Sequence, residues 1–100
     1  MVKHVILWKL KEELSDAEKS VIKENMKKEL EGLKGKVPGL LDITIQISPL
    51  ASSNAEVMLD STLESEEALK GYAVHPEHVK VADTFVRPYT QVRTCMDYEI

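Results

Sequence analysis

The order strand, helix, strand, strand, helix in two parts, strand predicts an α+β domain of the ferredoxin-like type: a βαββαβ antiparallel sheet with its helices on one face. Three features carry this expectation. The opening run Val2–Leu10 is apolar on both of its alternating faces, the segment Leu41–Ile47 alternates with a period of two, and a helix with a clear start signal separates them.

Val2, His4, Ile6, Trp8 and Leu10 fall on one face of the first run, and Val5 and Leu7 fall on the other. A strand apolar on both sides belongs in the middle of a sheet covered on both sides. Ser15-Asp16-Ala17-Glu18 is a capping box, in which the serine hydroxyl and the glutamate carboxylate satisfy backbone donors at a helix start. The helix then carries Ala17, Val21, Ile22, Met26, Leu30 and Leu33 as a stripe suited to packing on a sheet, and Gly35 is its expected stop. Pro38-Gly39 marks a turn into the second strand, and a polar loop around Pro49 and Ser52-Ser53-Asn54 leads into a third, Glu56–Leu63, which completes a hairpin.

Ser65 is placed to cap a short helix that ends near Gly71. Pro76 opens a second helical stretch with Val79, Ala82, Phe85 and Val86 on its apolar side, closed by Arg87-Pro88 because the residue before a proline is pushed out of helical geometry. Thr90–Ile100 reads as the last strand. Ferredoxin-like order puts the first and third strands at the centre and leaves one sheet face bare. Val5 and Leu7 would lie on that face, and a second copy of the chain is the simplest cover, so a homodimer is expected.

With 100 residues, 43% hydrophobic and 30% charged, the chain has the balance of one globular domain over residues 1–100. The net charge of -4 excludes a nucleic-acid partner of the usual kind, which needs a basic stripe. The lysines between Lys23 and Lys36 are interleaved with Glu24, Glu29 and Glu31, the pattern of a solvated helix face. No run reaches the ~18 apolar residues of a membrane span, so no membrane partner is expected. The single cysteine, Cys95, excludes an intrachain disulfide and is expected to be a small, buried or half-buried hydrophobe. A soluble, cytoplasmic location is the default expectation.

Chemistry concentrates at Tyr72 and His75-Pro76-Glu77-His78, which hold two of the three histidines. Pro76 at the first helical position makes His75 the N-cap and puts His78 in the first turn. Histidine is the side chain most easily poised for proton transfer near neutral pH. A metal pair formed by His75 and His78 lacks a third ligand, so no metal is assigned. His4 sits among apolar residues on a central strand, either as a satisfied core histidine or as the polar centre of a pocket. Ile6, Trp8, Met26, Phe85 and Met96 read as core, and Asp97-Tyr98 reads as an anchor for the C-terminus or a dimer edge.

Taken together, Lys3-His4-Val5-Ile6-Leu7-Trp8-Lys9-Leu10, Pro38-Gly39, Tyr72 with His75-Pro76-Glu77-His78-Val79, and Asp97-Tyr98 resemble the stress-responsive A/B barrel (Dabb) family of dimeric α+β barrels. The resemblance implies a homodimer and a cavity between sheet and helices. A plant branch of that family cyclises linear polyketides without metal or cofactor, using a histidine and a tyrosine. The matching pair here is His78 and Tyr72 as catalytic residues, with His4, Ile6, Trp8 and His75 as ligand contacts. Trp8 projects with His4 and Ile6 into space a long ligand would use. Two function classes stay open: a pocket for a small hydrophobic or carbonyl-containing molecule, with cofactor-free acid/base or monooxygenase-like chemistry, and a non-enzymatic stress-associated dimer.

Overall fold

The computed structural model describes residues 1–100. Its strands are β1 (Val2–Leu10), β2 (Leu40–Gln46), β3 (Val57–Leu63) and β4 (Thr90–Glu99); its helices are α1 (Asp16–Glu31), α2 (Glu66–Val74) and α3 (Pro76–Val81). The strands form one antiparallel sheet in the order β2-β3-β1-β4, with β1 and β3 central as the sequence predicts.

The two faces follow the period of two in the strands. On the helix side, Val2, His4, Ile6, Trp8 and Leu10 of β1 are buried, as are Val57, Leu59, Ser61 and Leu63 of β3. Helix α1 lays Ile22, Met26 and Leu30 against them, and Met26 is completely enclosed. Val21 and Ala17 lie outside this stripe, because a helix turning 100° per residue carries them away from the sheet; Val21 is 61% exposed.

Both capping-box hydrogen bonds form: Glu18 N–H donates to Ser15 Oγ at 3.1 Å, and Ser15 N–H donates to Glu18 Oε1 at 3.0 Å. The helix stops earlier than expected, at Glu31, and Gly35 serves the turn that follows with φ near 87°. Gly39 also has a positive φ, and a Cβ there would come within 2.6 Å of the Ala68 Cβ, so the Pro38-Gly39 turn admits only glycine.

Strand β2 is an edge, and α1 shields part of it. Glu31 accepts from Ile45 N–H at 3.0 Å, while Lys27 Nζ donates to the Ile45 carbonyl at 2.9 Å. The other edge, β4, is exposed along nearly its whole length. Met96 is therefore not core: the register sets it beside Val5 on the helix-free face, 66% exposed. Val5, Leu7, Met58, Val92, Met96 and Tyr98 share that face.

Helix α2 runs past Gly71 to Val74, so Tyr72 lies within it and points into the core. The chain then breaks for one residue. His75 takes extended geometry (ψ 133°) before Pro76 and caps α3, its Nδ1 accepting from Glu77 N–H at 3.1 Å. After α3 a wider π turn (Ala82–Val86) and a 3₁₀ turn (Arg87–Tyr89) continue the coil, so Arg87-Pro88 tightens it instead of ending it. No helix is long and apolar enough to cross a membrane.

Met26→Ala is expected to lower unfolding free energy by about 2–5 kcal/mol through the cavity it leaves, whereas Val21→Ala should change it by less than about 0.5 kcal/mol. Denaturant titration of the two variants measures the contrast; equal effects would contradict this assignment of the α1 faces.

Candidate functional site

Between the sheet and the helices α2 and α3 lies a cavity of about 350 Å³, partly open to solvent. Period two along β1 brings His4, Ile6 and Trp8 to its floor. The α2–α3 pair supplies Tyr72 and His78, and Arg87 and Arg93 also line it. Trp8 is buried in the wall and leaves this space free. Five of the six residues expected from sequence thus stand at or beside one cavity wall. His75 does not: it is the one non-helical residue between α2 and α3, and its imidazole is engaged in capping α3.

Tyr72 is the centre of the group. Its ring stacks at a tilt on His78, with centroids 4.3 Å apart, and meets the edge of His4 at 5.9 Å. The phenol is 1% exposed, and its hydroxyl has no hydrogen-bond partner in the chain. An unpaired buried hydroxyl costs roughly 1–3 kcal/mol, so its retention calls for a reason. Burial also pushes the phenol well above its ordinary value of 10.0, which keeps it protonated and able to donate.

His78 is tied by Nδ1 to the Ala73 carbonyl at 3.2 Å. A carbonyl can only accept, so the hydrogen sits on Nδ1 and the Nε2 lone pair is free. Burial holds the imidazole below its ordinary 6.5; the Ala73 carbonyl acts in the opposite direction, and the positive charges of Arg87 and Arg93 add to the depression. At neutral pH His78 is therefore an uncharged ring with an available base nitrogen.

Asp97, read from sequence as an anchor, also reaches the cavity group. Register sets it opposite His4, and its carboxylate accepts a hydrogen bond from His4 Nδ1. The available signal was alternation: Arg93, Cys95 and Asp97 share one face of β4, and that face is the helix side. Cys95 is likewise not buried, because β4 is an edge; its thiol lies 3.5 Å from Asp97 Oδ1 and 3.8 Å from His4 Nδ1. The two arginines at the cavity also carried no sequence signal beyond their charge.

The family model described as "Stress Responsive A/B Barrel Domain" matches residues 2–100. A dimeric protein of unknown function and ferredoxin-like fold from Bacteroides fragilis superposes with a TM-score of 0.92 at 29% identity, covering 99% of this chain and 95% of that one. An Arabidopsis thaliana crystal structure gives a TM-score of 0.80 at 24% identity over 100% and 95% of the two chains. A hydroxynitrile lyase from Passiflora edulis gives 0.78 at 15% identity over 99% and 92%. At such identities these last two show the fold alone. Among curated proteins none matches the chain significantly.

Because the folded His78 titrates below the unfolded one, the unfolded chain takes up that proton first as pH falls. His78 is thus neutral to stability above about pH 6.5 and destabilising as pH drops through it. Wild type should lose stability relative to His78→Gln between pH 7.5 and 5, and an NMR titration should place the His78 midpoint below 6.5. A midpoint at or above that value would refute the buried, neutral assignment.

Proposed function

Since the chain belongs to the stress-responsive A/B barrel family, we propose that it binds a small carbonyl-containing molecule between sheet and helices and acts on it by cofactor-free acid/base chemistry. The observation that carries this reading is the buried Tyr72 hydroxyl without a partner, set beside a neutral His78 whose Nε2 is free. One group donates and the other accepts, which is what abstraction of a proton from a carbon beside a carbonyl requires.

In this reading the proton passes from the acidic carbon to His78 Nε2, and the electron pair moves onto the carbonyl oxygen. Tyr72 donates a hydrogen bond to that oxygen as it becomes anionic. Because the hydroxyl is closed off even from water, the ligand oxygen reaches it only with a small movement of the wall around it. His4, held by Asp97, fixes the other flank of the phenol. Arg87 and Arg93 line the cavity and no carboxylate does; Arg87 is paired with Asp83, so Arg93 is the cation left to favour a ligand bearing a carboxylate or phenolate on an apolar body. His78 and Tyr72 are the catalytic residues of this proposal, and His4, Ile6 and Trp8 its ligand contacts.

We place this site in a homodimer joined through the helix-free face. Val5, Leu7, Met58, Val92, Met96 and Tyr98 form an apolar patch there, Leu7 and Met96 being 38% and 66% exposed, and similar folds are described as dimeric. Sedimentation should give a species near twice 11.3 kDa, and Leu7→Glu should yield monomers. A wild-type monomer at micromolar concentration would overturn the dimer.

A thermal-shift panel of β-keto carboxylates, aryl ketones and phenols tests the pocket, since a ligand binding only the folded state raises Tm. Tyr72→Phe should leave the free protein as stable as wild type or about 1 kcal/mol more so, while weakening ligand binding at least about tenfold. With a ligand found, deuterium exchange at its acidic carbon should require His78. If no compound shifts Tm, the non-enzymatic dimer is the better reading.

A further inference from the structure

A second group of reactive side chains lies on the other side of His4. In β4, Cys95 and Asp97 are two residues apart and so project from the same face; in β1, His4 stands opposite Asp97. Their donor atoms, Sγ, a carboxylate oxygen and Nδ1, all lie within 4.8 Å of one another. Sγ is 3.8 Å from Nδ1 and 3.5 Å from Oδ1, and a hydrogen bond joins the remaining pair.

Two readings of such a trio can be separated by which ring nitrogen is used. A relay that activates the thiol needs Cys95 on one nitrogen of His4 and Asp97 on the other. Here both address Nδ1, so no relay can form. What converges on a single point instead suits a cation. Bonds of about 2.0–2.3 Å in tetrahedral geometry separate donors by about 3.3–3.8 Å, the spacing of both sulfur contacts, and only the hydrogen-bonded pair must open.

We propose that His4, Cys95 and Asp97 form a divalent-cation site of zinc type, with three protein ligands and one open position. Thiolate and imidazole select zinc or cobalt over magnesium and calcium, which take oxygen ligands. Access comes from a second cavity of about 530 Å³ lined by all three residues, where a water or an anionic ligand completes the shell. In the free protein, partial desolvation and the Asp97 carboxylate hold the thiol above its ordinary pKa, and the Arg93 charge opposes this. Binding one ion releases one proton, from the Cys95 thiol, and moves the His4 hydrogen to Nε2. The bound thiolate and carboxylate neutralise the ion's two charges, leaving Arg93 as the one cation of the lining on this strand.

This site shares His4 and its partner Asp97 with the acid/base reading but uses neither of that reading's catalytic residues, Tyr72 and His78, so either proposal can fail without the other. Cobalt(II) titration of the whole chain tests it. One equivalent should bind and give a near-ultraviolet thiolate-to-cobalt band, displaced by zinc and not by magnesium. Cys95→Ser should abolish the band, and Asp97→Asn should weaken binding at least about tenfold, with far-ultraviolet circular dichroism unchanged in both exposed-site variants. His75→Asn, which alters an imidazole outside the cluster, should leave binding intact. No band in wild type, or a band of equal affinity in Asp97→Asn, would overturn the site and mark any binding as that of a lone thiol.

Discussion

The antiparallel register between β1 and β4 decides what this protein can place together. It sets His4 opposite Asp97, Ile6 opposite Cys95 and Trp8 opposite Arg93. Side chains alternate strictly along a strand, so a slip of one residue would turn Asp97, Cys95 and Arg93 to the helix-free face and bring Met96 and Tyr98 beneath the helices. The hydrogen bond from His4 to Asp97 is the polar lock on that register, formed beside the core by a histidine that is 7% exposed. Apolar packing on β1 and the bulge at Lys9 and Leu10 reinforce it near the other end of the strand.

Around this lock the interior carries more polar function than packing alone would select. Ser61 is satisfied by donating to the His4 carbonyl at 2.8 Å, and His4 by Asp97, yet the phenol between the two histidines is not satisfied. An apolar ring of the same shape would remove that cost, which the hydroxyl's proposed role as a donor to a ligand oxygen would offset. The break at His75-Pro76 serves the same region. Proline removes one helical residue between α2 and α3, and the change of direction brings His78 back over Tyr72.

Most of the fold was legible because its signals are local and agree with one another. The capping box, the two-sided β1, the Pro38-Gly39 turn and the proline start of α3 each fix an element without reference to the rest. What misled was whatever depends on position in the sheet. Met96 and Cys95 have the composition of buried residues, and only the placement of β4 at an edge exposes them. Gly71 signals a helix end, but α2 continues to Val74 because the buried Tyr72 phenol anchors that turn to the core. The site divides in the same way. Tyr72 and His78 are close in sequence and could be paired by motif, whereas Asp97 joins His4 across 93 positions of chain, a contact no spacing rule reaches.

The same alternation that hides Asp97 from a motif search separates two roles within one strand. Arg93, Cys95 and Asp97 face the helices, where ligand and metal chemistry is proposed, and Val92, Thr94, Met96 and Tyr98 face the bare side, where a second copy is proposed to pack. An unpaired, exposed edge strand is the most easily frayed part of such a sheet. Burying its outer face in a dimer would hold its inner face still, and with it the carboxylate that orients His4. Assembly and chemistry are then linked by backbone geometry alone: an outer-face substitution that frays β4 displaces Asp97 without touching it. Conversely, a ligand or ion that fixes Asp97 against His4 would stabilise the strand on which the proposed dimer is built.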